Sequence, residues 1–548
     1  MSDPTRSQIL AHSLSRRALL KTAAAGGAAG LALPATNLGP ASVAAQGTGG
    51  TLTAMMYQSI PSPWQMQGTA VWTCLVFETL VAWDENYSQI VPALAESWTT
   101  SEDGLVYTFK LRQGVTWHDG QPFTAADVVW SYATILHPTI IAASGSWLSP
   151  NLKAIKGAAA YSEGTVKELE GAKAPDELTV ELTIEKPSPL FLKQVAMPWI
   201  LPKHLLGEVP LDTLFDHPYF SEQLVGTGPF KFQEWEREQF ITVVRNDAYY
   251  RGAPKLDSIV ARKVDQPSVA ILSQQNGELD AIDVRAPEDI EAVKKDANLD
   301  VFPGPGMLVQ TMGVGNKPEI LKDKRVRQAI LHAIDRQTIV DSLYKGTAEI
   351  VNTPFVVDWV PMDGVNPYPY DPDKAKALLA EAGWDANVTL DIWAYYLDPF
   401  TGQLLAAFQQ YLSDVGIKTA VQQTDFANIE ADYNAGNFGL LYQGSARGPD
   451  PDQVYIYFHS KSEYNTLYSD PEVDRLLDEG RNTLDEAERA KIYNQLAIQL
   501  ADQSFWLTLW SPLRHWSVVK SVTGTHGKMG TPGLHIPFYS ASETWTKA

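Results

Sequence analysis

Residues 105–135 run LVYTFKLRQGVTWHDGQPFTAADVVWSYATI. Leu105–Leu111 alternates apolar and polar side chains, the period-two pattern of a half-buried strand. Trp117-His118-Asp119-Gly120 is a turn. Thr124 and Asp127 then stand three apart ahead of Val128, Val129 and Tyr132. That spacing is a capping box opening a helix with an apolar face. No second His or Glu lies at ligand spacing from His118, so the turn is expected to be structural and not a metal site. Strand, turn and helix in such close succession indicate an α/β architecture.

The same alternation of elements extends outward. Thr51–Tyr57 is an apolar run suited to a buried strand, and Phe230–Trp235 and Phe240–Arg245 follow the turn Gly226-Thr227-Gly228-Pro229. Val326, Ala329, Ile330, Ala333 and Ile334 share one helical face. Asp371 as N-cap, Pro372 at the first helical position and Gly383 beyond the end bracket another helix. Ser469/Glu472 and Thr483/Glu486 are expected to form two more capping boxes. Leu440–Tyr442 suits a strand end, and Gly444 onward is expected to break into a loop through Asp450-Pro451-Asp452. Arg447 would then sit on a loop just past a buried strand, either pairing with Asp450 or Asp452 or meeting a ligand.

Residues 1–45 are expected to be an export leader. Ser15-Arg16-Arg17-Ala18-Leu19-Leu20-Lys21 is a twin-arginine pattern, followed by an Ala/Gly/Leu run to Leu33 and small residues to Ala45. The apolar run is shorter than the roughly 20 residues of a spanning helix. The remaining chain is long enough for two or three domains. The whole chain carries a formal net charge of −21, and subtracting the +3 of residues 1–45 leaves −24. An acidic surface of that size argues against nucleic acid or an anionic membrane as partner. Cys74 is the single cysteine, which excludes an intrachain disulfide and suits a buried, inert thiol. There is no nucleophile elbow, P-loop, zinc-protease helix or dinucleotide fingerprint, so neither catalysis nor a cofactor is indicated.

The 105–135 stretch resembles the signature region of the family 5 extracellular solute-binding proteins, the peptide, oligopeptide and nickel binders of bacterial ABC importers. Val76-Phe77-Glu78-Thr79-Leu80 and Leu94-Ala95-Glu96-Ser97-Trp98 match upstream. Gly226-Thr227-Gly228-Pro229-Phe230, Arg245–Tyr250, Asn276–Asp280, Arg325–Ile330, Tyr370–Ala375 and Leu412–Ile417 match downstream in order. The resemblance implies a two-lobed α/β periplasmic-binding-protein fold with a hinge. Lobe I would take residues 46–300, with an extra subdomain near 75–205, together with a returning C-terminal segment, 511–548. Lobe II would take 301–510. It further implies a monomeric, non-enzymatic periplasmic protein that hands a small solute to an inner-membrane ABC permease.

In peptide-binding members an aspartate in the loop before an Asp-Pro-Asp segment holds the peptide amino terminus. Aligning Asp450-Pro451-Asp452 on that segment places Arg447 at the aspartate position, a charge reversal that favours an anionic, non-peptide or modified-amino-acid solute. Di- or oligopeptides are the alternative, then an oligosaccharide; nickel is the least supported. Ser445 beside Arg447, Tyr57, Gln58, Trp359, Trp393, Tyr395, Tyr396, Trp510 and Arg514 are the remaining candidate ligand-lining residues, since such pockets combine aromatics with a few polar groups.

Overall fold

The computed structural model describes residues 49–56, 72–84, 89–144, 149–304, 306, 308–446, 448, 450–462, 468–525 and 542–548. Residues 1–45, Tyr57, Gln58 and Arg447, among the expected leader and site residues, lie outside them.

Two large sheets organise the chain. In the first, seven strands lie in the order Leu299–Gly304, Arg514–Val519, Ala281–Val284, Thr51–Met56, Ser258–Lys263, Phe240–Arg245 and Phe230–Glu236. In the second, six lie in the order Ala348–Ile350, Trp506–Pro512, Leu308–Val314, Leu440–Ala446, Thr389–Ala394 and Lys418–Gln423. The chain passes from the first sheet to the second between Gly304 and Leu308, and back between Pro512 and Arg514. These two adjacent crossings are the geometry of a hinge, because few backbone torsions separate two intact cores. A four-stranded antiparallel sheet, built from Ala95–Thr100, Val106–Leu111, Thr179–Thr183 and Ala172–Asp176, carries a separate core around Phe109, Trp117, Tyr132 and Phe191.

The 105–135 stretch folds as its pattern predicts. Val106–Leu111 is a central strand of the small sheet, and Ala125–Leu136 is helical behind Thr124. Asp127 Oδ2 accepts the Thr124 backbone N–H at 2.9 Å, closing the capping box. Asp371 caps Pro372–Ala382, and Gly383 ends it in the left-handed region at φ 76°. The two later capping boxes are a correction. Asp470, not Ser469, caps Pro471–Asn482, and Asp485, not Thr483, caps Glu486–Gln503. A carboxylate is the better acceptor at a helix N-terminus, where the backbone dipole adds to the hydrogen bond. Gly444, Ser445 and Ala446 do not open the loop either: they extend the strand that begins at Leu440 by pairing with Leu308–Gln310.

His118 is a structural tie. The Gly226 N–H donates to its Nδ1 at 3.2 Å, which sets the tautomer so that Nε2–H donates to the Gly228 carbonyl at 2.9 Å. The Gly226 turn lies so close to the next segment that a Cβ there would stand 1.8 Å from the Val76 carbonyl oxygen, leaving glycine as the fitting residue. Burial pulls the His118 pKa down to about 4. The unfolded chain takes up this proton near pH 6.5 while the folded chain stays neutral, so stability falls as pH drops from 6.5 toward 4. An imidazole resonance titrating near 4 in the folded protein is the expected NMR result; titration near 6.5 would contradict it.

Candidate functional site

The three strands Thr389–Ala394, Lys418–Gln423 and Leu440–Ala446 run parallel. Ligands of open α/β sheets bind beyond the carboxyl ends of such strands, where the following residues turn away in loops. Tyr395 and Tyr396 leave the first strand at that end, their ring centroids 4.6 Å apart. Both are half-buried, and burial pushes the Tyr395 phenol above its usual range, so it stays protonated as a potential donor. Gly444, on the neighbouring strand, makes this grouping possible. A Cβ there would stand 2.9 Å from Tyr396 Oη and 3.2 Å from Gln310 Nε2. Gln310 Oε1 and Ser445 Oγ are buried and accept or donate no hydrogen bond among the described residues. Buried polar atoms without partners carry a free-energy cost, so this strand end is chemically unfinished.

Beyond it, the loop is tied down on the far side of Arg447. Asp450 caps the short helix Pro451–Val454 by accepting the Asp452 N–H at 3.0 Å. Its carboxylate receives Arg489 in a fork, Nη1 to Oδ2 at 2.7 Å and Nη2 to Oδ1 at 2.6 Å. Lys193 Nζ reaches the same Oδ2 at 2.6 Å from the small-sheet subdomain. Burial would raise the Asp450 carboxyl, but the Arg489 hydrogen bonds and the Lys193 charge outweigh it and hold the pKa below the ordinary value. Asp452 is likewise held bidentately by Arg481, Nε to Oδ1 and Nη2 to Oδ2, both at 2.8 Å. The Arg481 guanidinium lies 3.4 Å over the Tyr455 ring. Both loop carboxylates are therefore paired with cations other than Arg447.

The candidate residues divide into three groups. Tyr395 and Tyr396 meet at the strand ends beside Gly444, with Ser445 the next residue along that strand. Trp359 lies beneath the Asp450 cluster, with Lys193 Nζ 5.4 Å and the Arg489 guanidinium 5.3 Å from its ring centroid, a cation–π platform. The other three are engaged within the two sheets, two in packing and one in an ion pair. Trp393 packs against Phe438, Ile429 and Leu441. Trp510 is 0% exposed among Tyr344, Phe408 and Tyr442. Arg514 donates to Asp283 at 3.1 Å and lies 5.2 Å over Trp516 in the first sheet. Sequence reasoning missed Lys193, Gln310 and Arg489. Arg489 had a legible signal: it shares an apolar helix stripe with Tyr493, Leu496, Ala497 and Leu500, a position that demands a buried anion. Lys193 had none.

The family model "Bacterial extracellular solute-binding proteins, family 5 Middle" matches residues 89–466. A Brucella ovis protein provisionally named as an ABC transporter peptide-binding protein is 30% identical over 472 residues, covering 84% of this chain and 86% of that protein. NikZ from Campylobacter jejuni, solved in complex with Ni(L-His), superposes with a TM-score of 0.74 at 26% identity over 91% of this chain and 99% of its own. AgaA from A. tumefaciens R10, solved with agropinic acid, gives 0.71 at 27% identity over 91% and 99%. With two hinge-linked sheets, an added four-stranded subdomain and a family match over most of its length, this chain belongs to the family 5 bacterial extracellular solute-binding proteins.

Proposed function

We propose that the solute is a non-peptide or modified-amino-acid molecule with an anionic group, met by Arg447 and oriented by Ser445, Tyr395 and Tyr396. Membership of the family makes this chain the solute-binding component of an ABC importer, a binding protein and not an enzyme, working with an ABC permease. The engagement of both loop carboxylates carries the reading about the solute. Asp450 accepts four hydrogen bonds, from Arg489, Lys193 and the Asp452 N–H, and Asp452 is neutralised by the Arg481 fork, so neither carboxylate offers an uncompensated charge to a peptide ammonium group. Arg447 follows Ser445 by two positions and precedes Asp450 by three in the sequence. The similar solved structures include one with agropinic acid, a precedent for a non-peptide cargo.

Export by the twin-arginine leader, a monomeric state, and lobes of 46–300 with 511–548 and of 301–510 belong to the same proposal. Capture would then consist of lobe closure over the solute and release at the permease. The name of the Brucella relative favours ordinary peptides as a second reading.

Native mass spectrometry of the co-purifying species, followed by calorimetry with that species, tests the proposal. Arg447→Ala is expected to weaken binding by about 1.5–3 kcal/mol, the range for a charge-assisted hydrogen-bonded contact. An unmodified peptide as the bound species, or an unchanged affinity in a folded Arg447→Ala protein, would overturn it.

A further inference from the structure

We infer that Lys193 is a latch that holds the two lobes together by gripping the solute-binding loop itself. Phe191 and Val195, on either side of Lys193 in one short helix, are buried in the core of the four-stranded subdomain. Lys193 projects from that core to Asp450, 257 residues away, in the loop that follows the second sheet's strand Leu440–Ala446. Among the described residues, every other partner of Asp450 comes from its own side of the hinge: the Arg489 fork and the Asp452 N–H.

That division gives the contact its character. When the lobes separate, only the Lys193 bond breaks, and Asp450 remains neutralised by Arg489. No buried charge is stranded by opening, so the contact can be made and broken repeatedly. Lys193 is itself part-exposed, with a quarter of its side chain accessible against a tenth for Asp450. On opening, its ammonium therefore regains water at low cost, and its contribution to closure is screened by salt. The Trp359 ring, 5.4 Å from Lys193 Nζ, adds a cation–π contact that forms only with Lys193 in place. Asp450 lies three positions after Arg447 and five after Ser445. The lobe that supplies Lys193 therefore grips the very loop from which solute contact is proposed, and loop order and lobe closure become one equilibrium. The inference needs lobe closure but not an anionic solute, and it stands whichever cargo is found.

The test is single-molecule energy transfer between dyes on Ser101→Cys and Lys376→Cys, exposed sites on the subdomain and the second lobe, in a Cys74→Ser background. The protein is measured as purified and after stripping by denaturation and refolding. Lys193→Met is expected to raise the opening rate and lower the closed population about three- to tenfold in at least one of these states, with a melting temperature close to that of the parent. Lys193→Arg should restore closure, and 0.5 M NaCl should shift the parent but not Lys193→Met. Lys156→Met, which removes an exposed ion pair to Glu170 within the same subdomain, is the matched control and should behave as the parent. Equal opening rates and closed populations for parent and Lys193→Met in both states would overturn the latch. So would an equal effect of Lys156→Met, or a Lys193→Met shift that salt still modulates as in the parent.

Discussion

Asp450→Ala is expected to lower the unfolding free energy by about 3–5 kcal/mol, the cost of removing one partner of a buried ion pair. Arg489 is 2% exposed, and its fork would lose both carboxylate oxygens, keeping only the Nε–H bond to the Gly480 carbonyl at 2.8 Å and a 3.3 Å contact to Tyr493 Oη. The cap on Pro451–Val454 would be lost as well, a further contribution of about 1 kcal/mol. Asp450→Asn keeps the cap and one acceptor but not the charge, so its loss should be intermediate. Combining it with Arg489→Met should cost less than the two single changes added together, because the pair then disappears without leaving a lone charge. Urea unfolding with an unchanged slope is the measurement. A loss below about 1 kcal/mol for the alanine variant would mean that Arg489 finds water or another anion. The pH dependence has a definite sign. Asp450 is held below its ordinary pKa, so the stabilisation is present above about pH 4, where an unfolded carboxyl ionises, and is lost as pH falls through the lower folded value.

Trp510→Ala is expected to cost a similar amount, about 3–5 kcal/mol, through the cavity left in the second sheet's core. The indole stacks on Phe408 at 6.0 Å, meets Tyr344 edge-on at 5.5 Å and donates Nε1–H to Tyr344 Oη at 2.9 Å. Tyr344 Oη in turn lies 3.4 Å from Tyr442 Oη, so the indole anchors a buried polar chain as well as filling space. Trp510→Phe should keep most of the packing and lose about 1 kcal/mol with the missing donor. Solute affinity separates the core role from a pocket role: Trp510→Phe should leave it within about twofold, whereas a pocket wall would weaken it more than it weakens folding.

The order of motifs from Val76 to Ile417 carried the family, and the capping box at Thr124 the start of the helix within its signature stretch. Caps, turns and apolar stripes act over a few residues, so they are written into local sequence. Their limits were local too. Ser469 and Thr483 fit the capping pattern, but Asp470 and Asp485 had the stronger acceptors. Gly444-Ser445-Ala446 had the composition of a turn, yet pairing with Leu308–Gln310 kept them extended, since a free ladder edge outweighs weak propensity.

The sequence by itself determined the α/β class and the lobed architecture implied by its family pattern. Tertiary structure alone decided which cations meet the carboxylates Asp450 and Asp452. The partners of Asp450 arrive from 39 and 257 positions away, and nothing in the spacing of a chain records which distant cation a carboxylate will meet. It also decided which tryptophans pack. Trp359 and Trp510 are chemically alike, and only folding puts one beneath two cations at the junction of the lobes and the other at 0% exposure inside one of them. Burial and pairing are properties of packed surfaces, and they exist only once segments distant in sequence have come together.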